Sequence, residues 1–131
     1  MRRHLARAAL IAGDMPEAEA EGREALRLAR ELSMRSEEGC SLRVLGEVAR
    51  EQGSLAEAET HLAESVAILE EVADEYELAR SRFSLARVQA ALGKRAAARA
   101  ALERGLEVFE RLEAAMDLKA ARALYEELAQ T

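Results

Sequence analysis

The chain has 131 residues, a single-domain length able to bury about two-thirds of the surface its unfolded form exposes. Half of the residues are hydrophobic but only 3% are aromatic, so a core must be built from Ala, Leu and Val, a composition suited to closely packed helices. With 25 acidic against 19 basic residues the net charge is −6, which excludes a basic nucleic-acid-binding domain as the reading of the whole chain.

In chain order, the opening "MRRHLARAALIAGDMPE" is basic at first. Acidic residues and a turn at Gly13 cut its apolar part short, so it does not read as a signal peptide. A first helix is expected from about Arg2 to this turn. Asp14-Met-Pro-Glu17 then has capping-box form, with Asp14 accepting from first-turn amides and Pro16 early enough to need no intrahelical partner. Gly53 and Ser54-Leu-Ala-Glu57 repeat the arrangement forty residues later. Gly93 repeats it after another forty, where Lys94 supplies no capping side chain and predicts more fraying. Each glycine provides the left-handed conformation that ends one helix, and a link of one or two residues would make consecutive helices antiparallel neighbours. From Leu55 the apolar or small residues are Leu55, Ala58, Leu62, Ser65, Val66, Leu69, Val72 and Tyr76. After Gly93 they are Ala98, Leu102, Gly105, Leu106, Phe109, Leu112 and Met116. Spacings of three and four give each run one apolar stripe, and no segment alternates with period two. A last helix is expected over roughly residues 117–130.

A helix pair repeated at fixed period is the pattern of a solenoid, in which each hairpin buries its apolar face on the next. The residues resemble the tetratricopeptide repeat. In the middle copy Leu42, Leu45-Gly46, Gly53, Ala58, Leu62 and Ser65 carry the resemblance. Leu85-Ala86, Gly93, Ala98, Leu102 and Gly105 repeat it, and Leu5-Ala6, Gly13, Ala18, Gly22 and Ala25 do so more weakly. The resemblance implies an all-α, right-handed solenoid of antiparallel helix hairpins, about three and a half repeats and seven helices in one domain. The expected repeats are approximately residues 1–35, 36–75 and 76–116, with a final helix over 117–131. The period is 40 where the family's is about 34, and Glu70 stands where the family tends to place a helix-ending proline. The extra residues are therefore read as added helix. Arg2 and Arg82 replace a large apolar residue, so Phe83 is expected to take over that packing, and Gly22 in place of Leu62 and Leu102 predicts a hole in the first hairpin. Longer repeats of this kind are similar to those of large bacterial signalling proteins, such as ATPase-type transcription regulators.

In such arrays the first helix of each pair lines a concave groove. Carried over by residue, the groove candidates are Arg3, Arg7, Cys40, Arg43, Val44, Glu47, Arg50, Arg80, Phe83, Ser84, Arg87 and Glu127. Arginine's planar fork binds carboxylates in pairs of hydrogen bonds, so an acidic or carboxylate-bearing peptide is the expected ligand. Against this, Arg43, Glu47 and Arg50 are also spaced for pairs within one helix, worth only about 0.2–0.5 kcal/mol each. Val44 stands where the family's carboxylate-binding subclass would carry an asparagine.

No catalytic or metal-binding constellation is read: His4 and His61 lie far apart, and the glycines serve turns rather than a phosphate loop. The sequence therefore predicts no enzyme and no cofactor. The one cysteine, Cys40, cannot form an internal disulfide and fits a reducing, cytoplasmic setting. No apolar run approaches the ~20 residues needed to span a bilayer. The expected partner is a protein or peptide. The alternatives are a regulatory segment of a larger signalling protein and self-association through open solenoid ends.

Overall fold

The computed structural model describes residues 2–130, with the Arg2 side chain outside the description. The described residues form seven helices and no strand. These are α1 (Arg2–Ile11), α2 (Met15–Glu31), α3 (Arg35–Glu51), α4 (Leu55–Glu71), α5 (Glu75–Ala91), α6 (Arg95–Arg111) and α7 (Ala115–Ala129). From α2 to α6 every helix has 17 residues, and every link is three residues rather than the one or two expected.

The links are built alike. Gly53 N–H donates to the Arg50 carbonyl and Ser54 N–H to the Ala49 carbonyl, which closes α3 in a Schellman turn. Ser54 then serves as the N-cap of α4. Gly13, Gly53 and Gly93 have φ of 84°, 80° and 80°. The alternate links use the same left-handed geometry without glycine: Ser33, Ala73 and Glu113 have φ of 54°, 56° and 55°. Sequence inspection recognised only the glycine half of this series. Asp14 caps α2 by accepting from Glu17 N at 3.2 Å. The expected Ser54 cap is corrected, because its side chain makes no capping hydrogen bond.

The even helices bury one stripe each, in common register: Ala18, Gly22, Ala25 and Ala29; Ala58, Leu62, Ser65 and Leu69; Ala98, Leu102, Gly105 and Phe109. Spacings of four, three and four keep these residues on one side of a 3.6-residue turn. Burying each leucine or phenylalanine stabilises the fold by about 1.5–3 kcal/mol. Large residues on these stripes face small ones across the hairpin. A Cβ added at Gly46 would stand 2.5 Å from Leu62 Cγ, so α3 approaches α4 closely only because no side chain intervenes.

The expected hole at Gly22 is also corrected. Leu45, from the next hairpin, fills it: a Cβ on Gly22 would lie 2.8 Å from Leu45 Cδ2. Phe83 packs against the third-hairpin core, and Arg82 pairs instead with Glu70 at 2.9 Å.

Each helix packs on its sequence neighbours. In addition α1 meets α3, α3 meets α5 and α5 meets α7, whereas no even helix meets another even helix. The odd helices therefore crowd the inner side of the array and the even helices spread along the outer side. This is a solenoid of helix hairpins whose inner wall is α1, α3, α5 and α7. The central inner helix, α3, is buried along most of its length.

Candidate functional site

The inner wall carries a hollow of about 160 Å³ lined by Arg7, Arg43, Glu47, Arg80, Phe83, Ser84, Arg87 and Asp117. Helical periodicity explains the α5 contribution: positions 80, 83, 84 and 87 fall on one face. Arg7 reaches it from α1, Arg43 and Glu47 from α3, and Asp117 from the first turn of α7.

The floor is a buried polar network. Arg43, only 3% exposed, donates to Glu77 Oε1 at 2.6 Å, to the Glu77 carbonyl at 3.1 Å and to Ser81 Oγ at 3.2 Å. Ser81 meets Ser65 at 2.8 Å, and Ser65 donates to the Gly39 carbonyl at 2.7 Å. Burial disfavours the charged form of Glu77, but the charge and hydrogen bond of Arg43, together with the charge of Arg80 and the Cys40 hydrogen bond, outweigh it and hold the carboxyl below its usual range. This network joins α3, α4 and α5, so Arg43 is committed to the scaffold.

The acidic residues of the hollow are also committed. Ser84 donates to Glu47 Oε2 at 2.9 Å, and Tyr76 donates to Asp117 Oδ2 at 2.6 Å. The remaining arginines are not. Among the described residues Arg7 and Arg87 make no ion pair, and Arg80 approaches only Glu77, at 3.6 Å, a carboxylate that Arg43 already holds. Arg80 is held below the ordinary arginine range by burial and then by the positive charges of Arg43 and Arg7. Arg87 is lowered by burial and then by Arg50. Both guanidinium groups lie over aromatic rings, Arg80 at 5.7 Å from the Tyr76 centroid and Arg87 at 5.6 Å from that of Phe83. An anion entering here would relieve both the crowding of like charge and the lost hydration.

Seven sequence candidates thus come together: Arg7, Arg43, Glu47, Arg80, Phe83, Ser84 and Arg87. Others do not. Cys40 and Val44 are corrected from groove wall to core, at 2% and 4% exposure: Glu77 of α5 lies against Cys40, and Val44 packs with Ala6 of α1 and Ala18 of α2. Burial also pushes the Cys40 thiol up to about 11. Arg3 lies outside the hollow and pairs with Glu37 at 2.7 Å. Arg50 turns to Glu51 at 3.0 Å, and Glu127 is exposed on α7 away from the hollow. Asp117 was missed by sequence reading, although the forty-residue register places it in line with Glu37 and Glu77.

No group of three or more His, Cys, Asp or Glu side chains among the described residues is placed to hold a metal ion. His61 lies 3.5 Å from Glu57, one helical turn before it.

Compared with known protein families, the chain matches the tetratricopeptide repeat over residues 1–71 and again over residues 37–111. The two matches overlap by one hairpin, as a register repeated along the chain requires. A search of curated proteins gives no match.

Proposed function

The chain belongs to the tetratricopeptide repeat family, and on that premise we propose that its inner wall receives an acidic segment of a partner protein. Tetratricopeptide repeats generally mediate protein–protein interaction and typically act as non-enzymatic scaffolds. The finer reading rests on one observation: Arg7, Arg80 and Arg87 face a common hollow while the carboxylates around them are already engaged. Their unmet hydrogen-bonding capacity favours a ligand with carboxylates spaced along a strand or helix. The wall is held by ion pairs and close packing before any ligand arrives, so little chain ordering opposes binding.

The reading extends to location. No described helix is long and apolar enough to cross a membrane. A single cysteine, buried and free, accords with a reducing cytoplasm. The forty-residue period supports a bacterial setting.

Arg43 is the wrong residue to reverse in a test, since its loss would disturb the scaffold itself. The decisive variant is Arg80→Glu with Arg87→Glu. Immobilised peptides rich in Asp and Glu serve as probes, with a Lys-rich set as control. The wild-type chain should retain acidic peptides more weakly as salt rises, and the double variant should lose at least about tenfold in affinity at low salt with unchanged helicity. Equal retention by both proteins rejects the electrostatic assignment.

A further inference from the structure

Ion pairs join successive inner helices in a repeated register. Arg3 of α1 pairs with Glu37 of α3 at 2.7 Å, and forty residues on Arg43 of α3 pairs with Glu77 of α5 at 2.6 Å. The next pair in this register is position 83 with Asp117 of α7. Phe83 stands there instead of arginine, and Asp117 accepts from Tyr76. The positive charge sits beside that position: Arg80 and Arg87 lie about one helical turn to either side of Phe83, and Arg7 lines the same hollow from α1. Three arginines are thus left without a carboxylate of their own, since the Glu77 edge that Arg80 approaches is held by Arg43.

Two features set the chemistry of the guest. The first is donor capacity. Arg80 lies over the Tyr76 ring and Arg87 over the Phe83 ring. A ring face attracts the cation without offering a lone pair, so both donor forks stay available to an anion. The second is room. At about 160 Å³ the hollow matches the cavity of roughly 150 Å³ that takes one benzene ring. It seats one compact anionic head rather than a separate carboxylate on each arginine, and carboxylates crowded there would repel one another. A phosphomonoester brings about −1.5 to −2 charge at pH 7 and three acceptor oxygens in a single group. Burial and neighbouring positive charge already hold Arg80 and Arg87 below the ordinary arginine range, so the relief on binding grows with the charge delivered.

We infer that the acidic segment proposed above for the inner wall carries a phosphorylated serine or threonine whose phosphate seats among Arg7, Arg80 and Arg87. The inference rests on that reading and adds its regulation: phosphorylation of the partner switches capture on. Serine or threonine is specified because the volume that seats the phosphate does not also hold an aromatic ring.

The test titrates labelled peptides into the full chain at low salt and follows fluorescence anisotropy. The peptides share one Gly- and Ala-rich sequence with flanking Asp residues, and differ only in a central Ser-Ser, Glu-Glu or phosphoserine-Ser pair. The phosphoserine peptide should bind at least about tenfold more tightly than the Glu-Glu peptide, which has a similar total charge. Arg80→Lys with Arg87→Lys keeps the charge but removes the forks, and should erase that preference with unchanged helicity. If the double variant loses helicity, Arg7→Lys at an exposed position of α1 decides, and should reduce the preference in the same sense. Equal affinity for the Glu-Glu and phosphoserine peptides overturns the inference and leaves the acidic-segment reading standing. Retention of neither peptide rejects that reading, and the inference with it. A preference that survives the lysine variants, or displacement of the phosphoserine peptide by an equal concentration of inorganic phosphate, which makes a free anion the occupant, also overturns it.

Discussion

Arg43 binds Glu77 twice, through its carboxylate at 2.6 Å and through its backbone carbonyl at 3.1 Å. One side chain thereby fixes both the rotamer of Glu77 and the backbone position of α5. Because the pair is largely removed from water, either partner alone would leave an uncompensated group facing the interior.

Removing one partner should therefore be costly. Glu77→Gln is expected to lower unfolding free energy by about 3 kcal/mol, read as an earlier urea midpoint. Arg43→Met combined with Glu77→Leu should recover much of that loss, because no buried charge then lacks its counterpart. A double variant as unstable as the sum of its parts would show that the pair is not coupled.

Acid should expose the same pair. Glu77 and Glu37 both have folded-state carboxyl groups below their ordinary value of 4.5, Glu77 against the opposing effect of burial and Glu37 through its hydrogen bond with Arg3. A depressed folded value means the stabilisation is complete above the unfolded value. It is lost as pH falls from about 4.5 through the lower folded value. Thermal melting between pH 6 and pH 3 should show this fall, and Glu77→Gln should flatten it. An equally steep fall in the variant would assign the acid sensitivity elsewhere.

The contact between Gly46 and Leu62 sets the spacing of the second hairpin. Gly46→Ala gains helix propensity of about 1 kcal/mol, yet forces a Cβ to within 2.5 Å of a fully buried leucine. Overpacking of this kind typically costs about 1–3 kcal/mol, so net destabilisation is expected. Adding Leu62→Val should soften the effect of the alanine, measurable as a coupling energy in a double-mutant cycle. A variant more stable than wild type would refute the close-packing account.

The six left-handed links offer a comparison within one molecule. Gly53→Ala should destabilise by about 1 kcal/mol, since φ of 80° is strained for a residue with a Cβ. Ala73→Gly relieves the same strain at φ 56° and should leave stability unchanged or slightly raised, the gain offset by greater freedom of the unfolded chain. Thermal unfolding of the two variants separates these effects by sign.

Much of this architecture is local information. Gly13, Gly53 and Gly93 mark three helix ends, and the four-three-four stripes on α2, α4 and α6 follow from the period of the helix alone. A recurrence of forty residues then determines a succession of hairpins, because each hairpin leaves an apolar face that only its neighbour can cover. Tertiary structure decided the remainder. That Leu45 fills the space beside Gly22, that Cys40 and Val44 turn inward, and that Ser33, Ala73 and Glu113 adopt left-handed turns depends on how one hairpin lies against the next. The arginines divide for the same reason. Arg43 finds Glu77 and Ser81, 34 and 38 residues away, while Arg80 and Arg87 meet no carboxylate within hydrogen-bond reach. Those separations span the whole of α4 and the links on either side of it, so they are set by the pitch of the stack rather than by any spacing visible along one helix.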